Sequence, residues 1–275
     1  MRVAGVDLVD VRRVGGGDIC DAFRATTADG RSVFAKTLAS APLGFFAAEA
    51  AGLDLLREAV DGPPVPAVVG VGDDGLVLAW VETAPSSVDV AEAFGAALAR
   101  LHATGTPTFG AEADGFIGSL PLHNDPCGDW PSFYVERRLR PYLDALTRDQ
   151  RMAIEAVIDR IDVLAGPAEP PARIHGDLWS GNLVWGSDGQ VWLVDAASAH
   201  GGHRETDLAM LAWFGAPHLE VILKAYDDTA PLAPGWQERV ALHQLHPMLV
   251  HATLFGGGYG ERAATAARSL LVDTP

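Results

Sequence analysis

Apolar and polar positions follow two different patterns along this chain, and the change comes near Glu82. Before it, short apolar runs such as residues 32–36 and 76–82 are separated by turn residues, which predicts β-strands. Residues 42–59 are the exception, because their apolar side chains recur at helical spacing and predict one helix. Those apolar side chains are Phe45, Phe46, Leu53 and Leu56.

Beyond Glu82 the spacing becomes mostly helical. Ser87 opens one predicted core helix, and Thr147 opens a second, over residues 147–164, with Gln150 completing a capping box. Residues 183–194 interrupt this region with two short apolar runs around Ser-Asp-Gly, which predicts a β-hairpin. The chain is therefore predicted to be a bilobal α+β protein, with an antiparallel-sheet lobe over residues 1–82 and a larger, mostly helical lobe over residues 83–275.

Composition narrows the function classes. A hydrophobic fraction of 48% in 275 residues is enough for a large core. Lys and Arg number 20 against 36 Asp and Glu, and the resulting formal charge of −16 argues against binding nucleic acid or an anionic membrane. The sequence shows no signal-peptide core and no apolar run of membrane length, so we expect a cytoplasmic protein. Two cysteines are too few for a disulfide scaffold, and we expect Cys20 and Cys127 to stay reduced. We also expect the protein to be a monomer.

The chemistry-bearing residues cluster around the predicted hairpin. Asp177 precedes it in His-Gly-Asp-Leu-Trp-Ser-Gly-Asn, Asn182 follows five positions later, and Asp195 ends the second strand. Phosphoryl transfer needs a carboxylate that takes a hydroxyl proton and oxygen ligands that hold Mg²⁺ on ATP. Singly, Asp177 would fit a loop cap and Asn182 a turn residue. Together with Asp195 their spacing favours a kinase catalytic loop and metal site.

A glycine-rich turn in the front third is a candidate phosphate-covering loop. Its glycines are Gly15, Gly16 and Gly17. Glycines let backbone N–H groups approach phosphate oxygens, although an ordinary hairpin turn would look the same. Lys36, at the end of an apolar strand, would then meet the phosphates, and it needs an anionic partner to offset its desolvation.

Glu49, on the predicted helix, is the candidate partner of Lys36. The alternative is a solvated helix-face charge, with Asp54 and Glu58 competing for the same role. The strand that ends near Trp80 and Glu82 is predicted to be the hinge between the lobes, where backbone groups would contact the adenine edge.

Several other polar and aromatic residues can be interpreted as either functional or structural. The aromatic segment 128–134 and the basic residues after it fit either a substrate cleft or a core with a solvated helix face. The histidines and acids of residues 200–207 match no structural zinc spacing, and Asp207 suggests a helix-start cap. We expect His102, His243 and His246 to belong to the scaffold and His251 to face the cleft.

The chain resembles the fructosamine kinase (ketosamine 3-kinase) family, whose fold is similar to that of the aminoglycoside phosphotransferases. The likeness lies in the string from His175 to Asn182 and in four stretches in the same order: residues 15–19, 33–36, 129–133 and 205–210. It departs from the family pattern at Ala196, where Pro is usual, and at Cys20, where bacterial relatives often carry Asn. Cys20 places a thiol beside the predicted phosphate loop, which raises the question of redox sensitivity.

The resemblance implies a role for each candidate residue. Asp177 would be the base for the sugar hydroxyl, Asn182 and Asp195 would hold Mg²⁺, and Lys36 with Glu49 would orient ATP. Trp179 and His251 would contact the sugar.

The implied activity is ATP-dependent phosphorylation of a ketosamine, free or protein-bound, at its third hydroxyl, which destabilises the adduct and releases the amine. One alternative is a kinase for an aminoglycoside or amino alcohol. Another is a nucleotide-binding pseudokinase, which predicts a missing catalytic group, and none is missing.

Overall fold

A six-stranded antiparallel sheet forms the first part of the fold, in a computed structural model that describes residues 1–15 and 19–272. The strands are β1 (Arg2–Val3), β2 (Val6–Arg13), β3 (Asp21–Thr27), β4 (Ser32–Thr37), β5 (Val68–Gly72) and β6 (Gly75–Ala79). Their order is β1-β2-β3-β4-β6-β5, and helix α1 (Phe45–Arg57) connects β4 to β5. Because β4 pairs with β3 on one side and β6 on the other, Lys36 lies on an interior strand.

Helices dominate the rest of the described chain. They are α2 (Val88–Thr104), α3 (Trp130–Phe133), a π-helix (Tyr134–Leu139), a 3₁₀ helix (Arg140–Ala145), α4 (Arg148–Ile158), α5 (Ile161–Leu164), a second 3₁₀ helix (Ser180–Asn182), α6 (Arg204–Phe214), α7 (Leu219–Thr229), α8 (Trp236–Phe255) and α9 (Tyr259–Val272). The predicted bilobal α+β, protein-kinase-like architecture is confirmed, whereas the boundary at residue 82 stays a prediction.

Three small antiparallel pairs lie within the helical part. They are β7 (Gly115–Ile117) with β8 (Leu120–Leu122), β9 (Ala172–Ile174) with β12 (His200–Gly202), and β10 (Leu183–Trp185) with β11 (Val191–Leu193). The pair β10–β11 is the predicted hairpin, with Val184 opposite Trp192. Since β9 and β11 carry the chain into and out of the segment 175–195, these pairs fix the place where the candidate catalytic residues emerge.

One hydrophobic cluster joins the two parts of the fold. Leu53 and Leu56 of α1 are fully buried and belong to the same cluster as Leu178, Leu193 and Leu208, which follow the sheet in sequence. At roughly 25 cal/mol per Å² of buried apolar surface, such a cluster is the main source of cohesion between α1 and the catalytic segment. The position of Glu49 on α1 is therefore coupled to that of Asp195.

Most helix starts lie where the sequence predicts them. The Ser87 hydroxyl accepts a hydrogen bond from Val90 N at the start of α2, and Thr147 with Gln150 forms the predicted capping box of α4. The helix predicted over residues 147–164 is wrong in one respect, because it is divided into α4 and α5. The backbone of Arg160, with φ −116° and ψ 11°, leaves helical geometry between them.

Candidate active site

A cavity of about 710 Å³ lies between the sheet and the helical part and collects most of the predicted site residues. The candidates that line it are Gly15, Lys36, Glu49, Trp80, Asp177, Trp179, Asn182, Asp195 and His251. Glu82 is not among the lining residues, and Gly16 and Gly17 lie outside the described residues. Residues from separate sequence motifs therefore lie together in one cleft.

Asp177 stands on a loop that His175 braces from behind. The His175 side chain is fully buried; its Nδ1 accepts a hydrogen bond from Asp177 N (3.3 Å), and its Nε2 donates to Val194 O (2.9 Å). This single tautomer ties the loop before β10 to the end of β11. Sequence reasoning gave His175 no role, and the structure makes it the residue that positions Asp177.

Asp207 holds the same loop from the other side. Its two carboxylate oxygens accept hydrogen bonds from His175 N (2.8 Å) and Gly176 N (2.9 Å), and one of them lies 3.2 Å from His102 Nε2. The expectation that Asp207 caps a helix start is wrong. Helix α6 begins at Arg204 with His203 as its N-cap, which places Asp207 one turn inside the helix, fully buried, where it can reach the loop.

The environment of Asp177 raises its affinity for a proton. Burial, together with the nearby carboxylates of Asp195 and Asp207, raises the pKa of this carboxyl to about 7, while hydrogen bonding from Asn182 opposes the rise. A general base works best when its pKa is close to the working pH. The site therefore tunes Asp177 toward accepting a proton from a hydroxyl.

Asn182 and Asp195 supply oxygen atoms suited to a magnesium ion. Asn182 Nδ2 donates to the main-chain oxygen of Asp177 (2.9 Å), which leaves Asn182 Oδ1 with no donor among the described residues. The Asp195 side chain is half exposed to the cavity, and the Lys36 ammonium, opposed by burial, lowers the pKa of its carboxyl. Amide and carboxylate oxygens are the ligands that Mg²⁺ prefers, so these residues fit the ion.

The backbone of Asp195 is left-handed, with φ of 60°. Non-glycine residues rarely adopt this region, and they do so mainly where surrounding structure holds them at functional sites. Part of that surrounding structure is α1, because a Cβ on Gly52 would meet Ala196 O at 1.8 Å. Only a glycine lets α1 lie this close to the residue after Asp195.

Lys36 forms the predicted ion pair with Glu49 and a second contact with Asp195. Both partners of the first pair are almost completely buried, and Lys36 Nζ lies 3.0 Å from Asp195 Oδ1. Burial lowers the pKa of Lys36, but the two carboxylates outweigh it and raise the pKa above its usual value. The ammonium is therefore held charged at the end of β4, facing the cavity.

The connection after β6 has backbone groups available to a nucleotide. Trp80 N donates to Ser32 O (3.2 Å) and Ser187 N donates to Glu82 O (2.8 Å), so both ends of the segment are anchored. Between them, Val81 N has no hydrogen-bond partner among the described residues. The Glu82 side chain pairs with Arg24, whose guanidinium lies over the Trp80 ring (4.4 Å), and so points away from the cavity.

The aromatic segment 128–134 belongs to the core, which decides between its two sequence interpretations. Trp130, Phe133 and Tyr134 are each at most 5% exposed. The predicted solvated basic face is wrong for Arg138, which is 3% exposed and stacks on the Phe133 ring at 4.6 Å. Its guanidinium donates to His123 O (2.7 Å) and to Asn124 Oδ1 (2.6 Å).

Part of the segment 200–207, whose sequence spacing matches no structural zinc pattern, forms a cluster with a more distant histidine. His203 and Glu205 converge with His243, their potential ligand atoms within 4.8 Å of one another. Arg239 takes both oxygens of Glu205 (2.9 and 2.6 Å), and Trp130 stacks on His243 at 4.7 Å. A bidentate arginine leaves the carboxylate satisfied, so this cluster is a buried ion-pair network. His243 is buried in it and also lines the cavity, so its expected scaffold role stays a prediction.

Comparison with known proteins places this geometry in a family. The fructosamine kinase family model matches residues 3–273. A Thermus thermophilus protein designated a ketoamine kinase is 36% identical over 244 residues, 89% of this chain and 87% of its own. The chloroplastic protein-ribulosamine 3-kinase of Arabidopsis thaliana is 33% identical over 272 residues, 93% and 81% of the two chains.

Solved structures agree with this placement. A Thermobifida fusca protein assigned as a fructosamine-3-kinase has a TM-score of 0.91 at 46% identity, covering 98% of this chain and 96% of its own. A thermostable mutant of the aminoglycoside phosphotransferase APH(4)-Ia, crystallised with ADP and hygromycin B, has a TM-score of 0.65 at 15% identity over 96% and 95% of the two chains, which shows the shared fold alone. This chain belongs to the fructosamine kinase family and is an ATP-dependent kinase that phosphorylates a sugar hydroxyl.

Proposed function

We propose that this chain transfers the γ-phosphoryl group of ATP to the third hydroxyl of a ketosamine sugar, with Asp177 as the base. The observation that carries the proposal is the convergence of Asp177, Asn182, Asp195 and Lys36 on one cavity in a chain of this family. Asp177 accepts the hydroxyl proton as the oxygen attacks phosphorus, and its raised pKa suits that step.

Nucleotide and metal binding follow from the neighbouring residues. Lys36, held by Glu49, contacts the α- and β-phosphates, and the backbone between Trp80 and Glu82 contacts the adenine edge. Gly15 lines the cavity and would approach the phosphates, and Gly16 and Gly17 follow it in sequence. Asn182 and Asp195 would hold Mg²⁺, which when bound neutralises charge on the phosphates and the leaving ADP.

The cavity is suited to a substrate that carries a positive charge. Three carboxylates line it, those of Glu49, Asp177 and Asp195, against the single ammonium of Lys36 among the described lysines and arginines. A ketosamine joins a sugar to a protonated secondary amine, which this field attracts. Trp179 and His251 are proposed to contact the sugar.

Phosphorylation at the third hydroxyl would destabilise the adduct and release the free amine. The activity would therefore be a deglycation reaction.

The aminoglycoside alternative is not favoured. Relatives above 30% identity are ketoamine or ribulosamine kinases by name, whereas the aminoglycoside phosphotransferases resemble this chain at 14–15% identity and share its fold. The pseudokinase alternative lacks support as well, because Lys36, Asp177, Asn182 and Asp195, on which the proposed chemistry depends, all line the cavity.

The test is a substrate panel with Mg²⁺ and ATP. Purified protein is incubated with fructosamine, ribulosamine and aminoglycoside compounds, and phosphorylated product is followed by mass spectrometry beside an Asp177→Asn control. We expect phosphorylated ketosamine that disappears with the substitution. Product from an aminoglycoside alone would refute the proposed substrate, and nucleotide binding without any product would refute the kinase.

A further inference from the structure

A row of aromatic side chains lines one wall of the cavity and leads away from Asp177. The Trp179 ring lies 5.5 Å from Phe214, and Phe214 lies 5.9 Å from His251, measured between ring centroids. His251 in turn lies 5.5 Å from Phe255 and 5.0 Å from Tyr259. We call these five residues the aromatic row. Because it starts two positions after Asp177, a substrate held for reaction there has the row beside it.

The far end of the row is built on one tight turn. Phe255 is the last residue of α8 and Tyr259 the first of α9, and three glycines connect them. Gly256 and Gly257 both have φ of 63°, a conformation that costs glycine little and other residues more. The turn folds α9 back beside α8, so that both aromatic rings contact His251 and line the cavity.

The row leaves apolar surface open to the cavity. Phe255 is 61% exposed, Phe214 43% and Trp179 38%, although all three line the cavity. Isolated exposed apolar residues are ordinary, but a contiguous aromatic wall inside a binding cavity is a surface that gains free energy when a ligand covers it. The ligand group that covers the far end must therefore have apolar surface of its own.

His251 adds a directed acceptor to this end of the row. Its Nδ1 donates to Pro247 O (2.8 Å), so the proton is on that nitrogen and Nε2 carries a lone pair. Nε2 has no partner among the described residues. A lone pair beside aromatic faces suits an ammonium N–H with carbon substituents, because the ring faces attract the charge and the nitrogen accepts the proton's hydrogen bond.

We propose that Phe255, Tyr259 and His251 form the subsite for the amine end of the ketosamine and select amines with an apolar or aromatic substituent. The inference rests on the proposed function, because it takes the sugar hydroxyl to be held at Asp177. The amine lies beyond the sugar in such a substrate, and successive ring contacts extend from Trp179 through Phe214 and His251 to Phe255 and Tyr259. An exposed subsite of this kind binds the first carbons of the amine substituent and leaves the remainder in solvent.

The experiment compares two ketosamines with the same sugar. One is made from fructose and 2-phenylethylamine and the other from fructose and ethanolamine, so both carry the same charge and differ in the group at the amine end. We expect the kcat/KM of the phenylethylamine adduct to be about tenfold higher, as burial of a modest apolar area predicts. The difference should lie mainly in KM, because the reacting hydroxyl is the same.

Variants test whether Phe255 is the cause. Phe255→Ala should bring the ratio of the two kcat/KM values close to one, and Phe255→Leu, which keeps apolar surface, should retain most of the preference. Met152→Ala is the matched control, since Met152 is 56% exposed on α4 and does not line the cavity. Thermal unfolding of each variant shows whether it remains folded.

The outcomes separate the two proposals. Phosphorylation of both ketosamines with a ratio near one, or a ratio that Phe255→Ala does not change, overturns the subsite and leaves the kinase assignment in place. Turnover of neither ketosamine, with turnover of an aminoglycoside, overturns the proposed function itself. A tenfold preference that is lost in Phe255→Ala and kept in Met152→Ala supports both.

Discussion

Lys36 Nζ lies 3.0 Å from Asp195 Oδ1, so a strand of the sheet lobe and the end of the catalytic hairpin are joined directly by charge. The same ammonium contacts Glu49, which makes it the common partner of two carboxylates. In the proposed mechanism a phosphate and Mg²⁺ enter between these groups. The contact between Lys36 and Asp195 therefore helps to hold the two lobes in position before the nucleotide binds.

The Lys36–Glu49 pair can be separated into a structural and a catalytic contribution. Lys36→Met leaves the Glu49 carboxylate buried without its partner, and breaking a buried pair in this way costs about 3–5 kcal/mol of unfolding free energy. The double variant with Glu49→Gln should recover much of that stability. We expect activity to stay lost in both, because the phosphate contact is absent. Urea denaturation and steady-state kinetics measure the two effects, and recovery of activity in the double variant would contradict the role of Lys36.

Asp177→Asn should lower kcat by about 10²–10⁴-fold, the usual contribution of a general base. The amide keeps the size of the side chain and cannot take the hydroxyl proton. The dissociation constant for ATP, measured by calorimetry, should change little because Asp177 contacts the acceptor. A kcat within about threefold of the parent value would show that another group, or none, takes the proton.

The pH dependence of kcat/KM should report Asp177. Its pKa of about 7 means that the carboxyl is protonated below that pH and cannot act as a base, so activity is expected to rise with pH through about 7 and then level off. In Asp207→Asn the inflection should move to lower pH, since the Asp207 carboxylate helps to raise the pKa of Asp177. A flat profile between about pH 5.5 and pH 8.5 would count against this assignment.

Asp207→Asn should also weaken the catalytic loop. The carboxylate accepts hydrogen bonds from His175 N and Gly176 N, and an amide can replace only one of its oxygens as an acceptor. Leaving a buried donor unsatisfied costs about 1–3 kcal/mol, and kcat should fall as Asp177 loses its position. Asp144→Asn is the control, because the Asp144 side chain is 99% exposed. Equal stability of the two variants would show that Asp207 does not support the loop.

Gly52→Ala should displace helix α1 and thereby weaken Mg²⁺ binding at Asp195. The new Cβ would lie 1.8 Å from Ala196 O, so α1 must move away from the residue after Asp195. Alanine favours helix formation by roughly 1 kcal/mol over glycine, and the clash should outweigh that gain. We expect lower stability and a higher Mg²⁺ concentration for half-maximal activity. Gly128→Ala, with nothing within 4 Å of the added Cβ at a position that does not line the cavity, gives the comparison.

Features that depend on residues close together in the sequence could be predicted better than contacts between residues far apart in the sequence. Asp177, Asn182 and Asp195 are close in sequence, and the hairpin between them follows from alternation and a turn, so their convergence could be inferred. The Lys36–Glu49 pair could be inferred because a strand and the next helix are neighbours. The roles of these residues stay predictions until variants are assayed.

Asp207 and Arg138 show where sequence reasoning ended. Asp207 reaches a loop 31 and 32 positions away, and only tertiary packing brings the two together. Arg138 lies in a π-helix, whose wider turn changes which side chains share a face, and it is buried although one of the two sequence interpretations placed the basic residues in solvent. His203 as an N-cap was missed because histidine is outside the residues usually preferred there.

No helix among residues 1–15 and 19–272 combines the length and apolar character needed to cross a bilayer. The predicted cytoplasmic location and monomeric state stay expectations, as does redox sensitivity of Cys20. That thiol lines the cavity, and burial raises its pKa, which disfavours the reactive thiolate. Unchanged activity after mild oxidation would dispose of the redox hypothesis.

The glycine turn between α8 and α9 gives this enzyme a place to change without disturbing its chemistry. Gly258 lies outside the left-handed φ range and has nothing within 4 Å of an added Cβ, whereas Gly256 and Gly257 have φ values of 63° that resist replacement. A side chain introduced at position 258 would change the turn between Phe255 and Tyr259 while the loop that carries Asp177 stays as it is. The residues proposed to set the substrate range and those proposed to transfer the phosphoryl group thus lie in separate stretches of the chain. The former residues can differ between relatives while the latter stay the same.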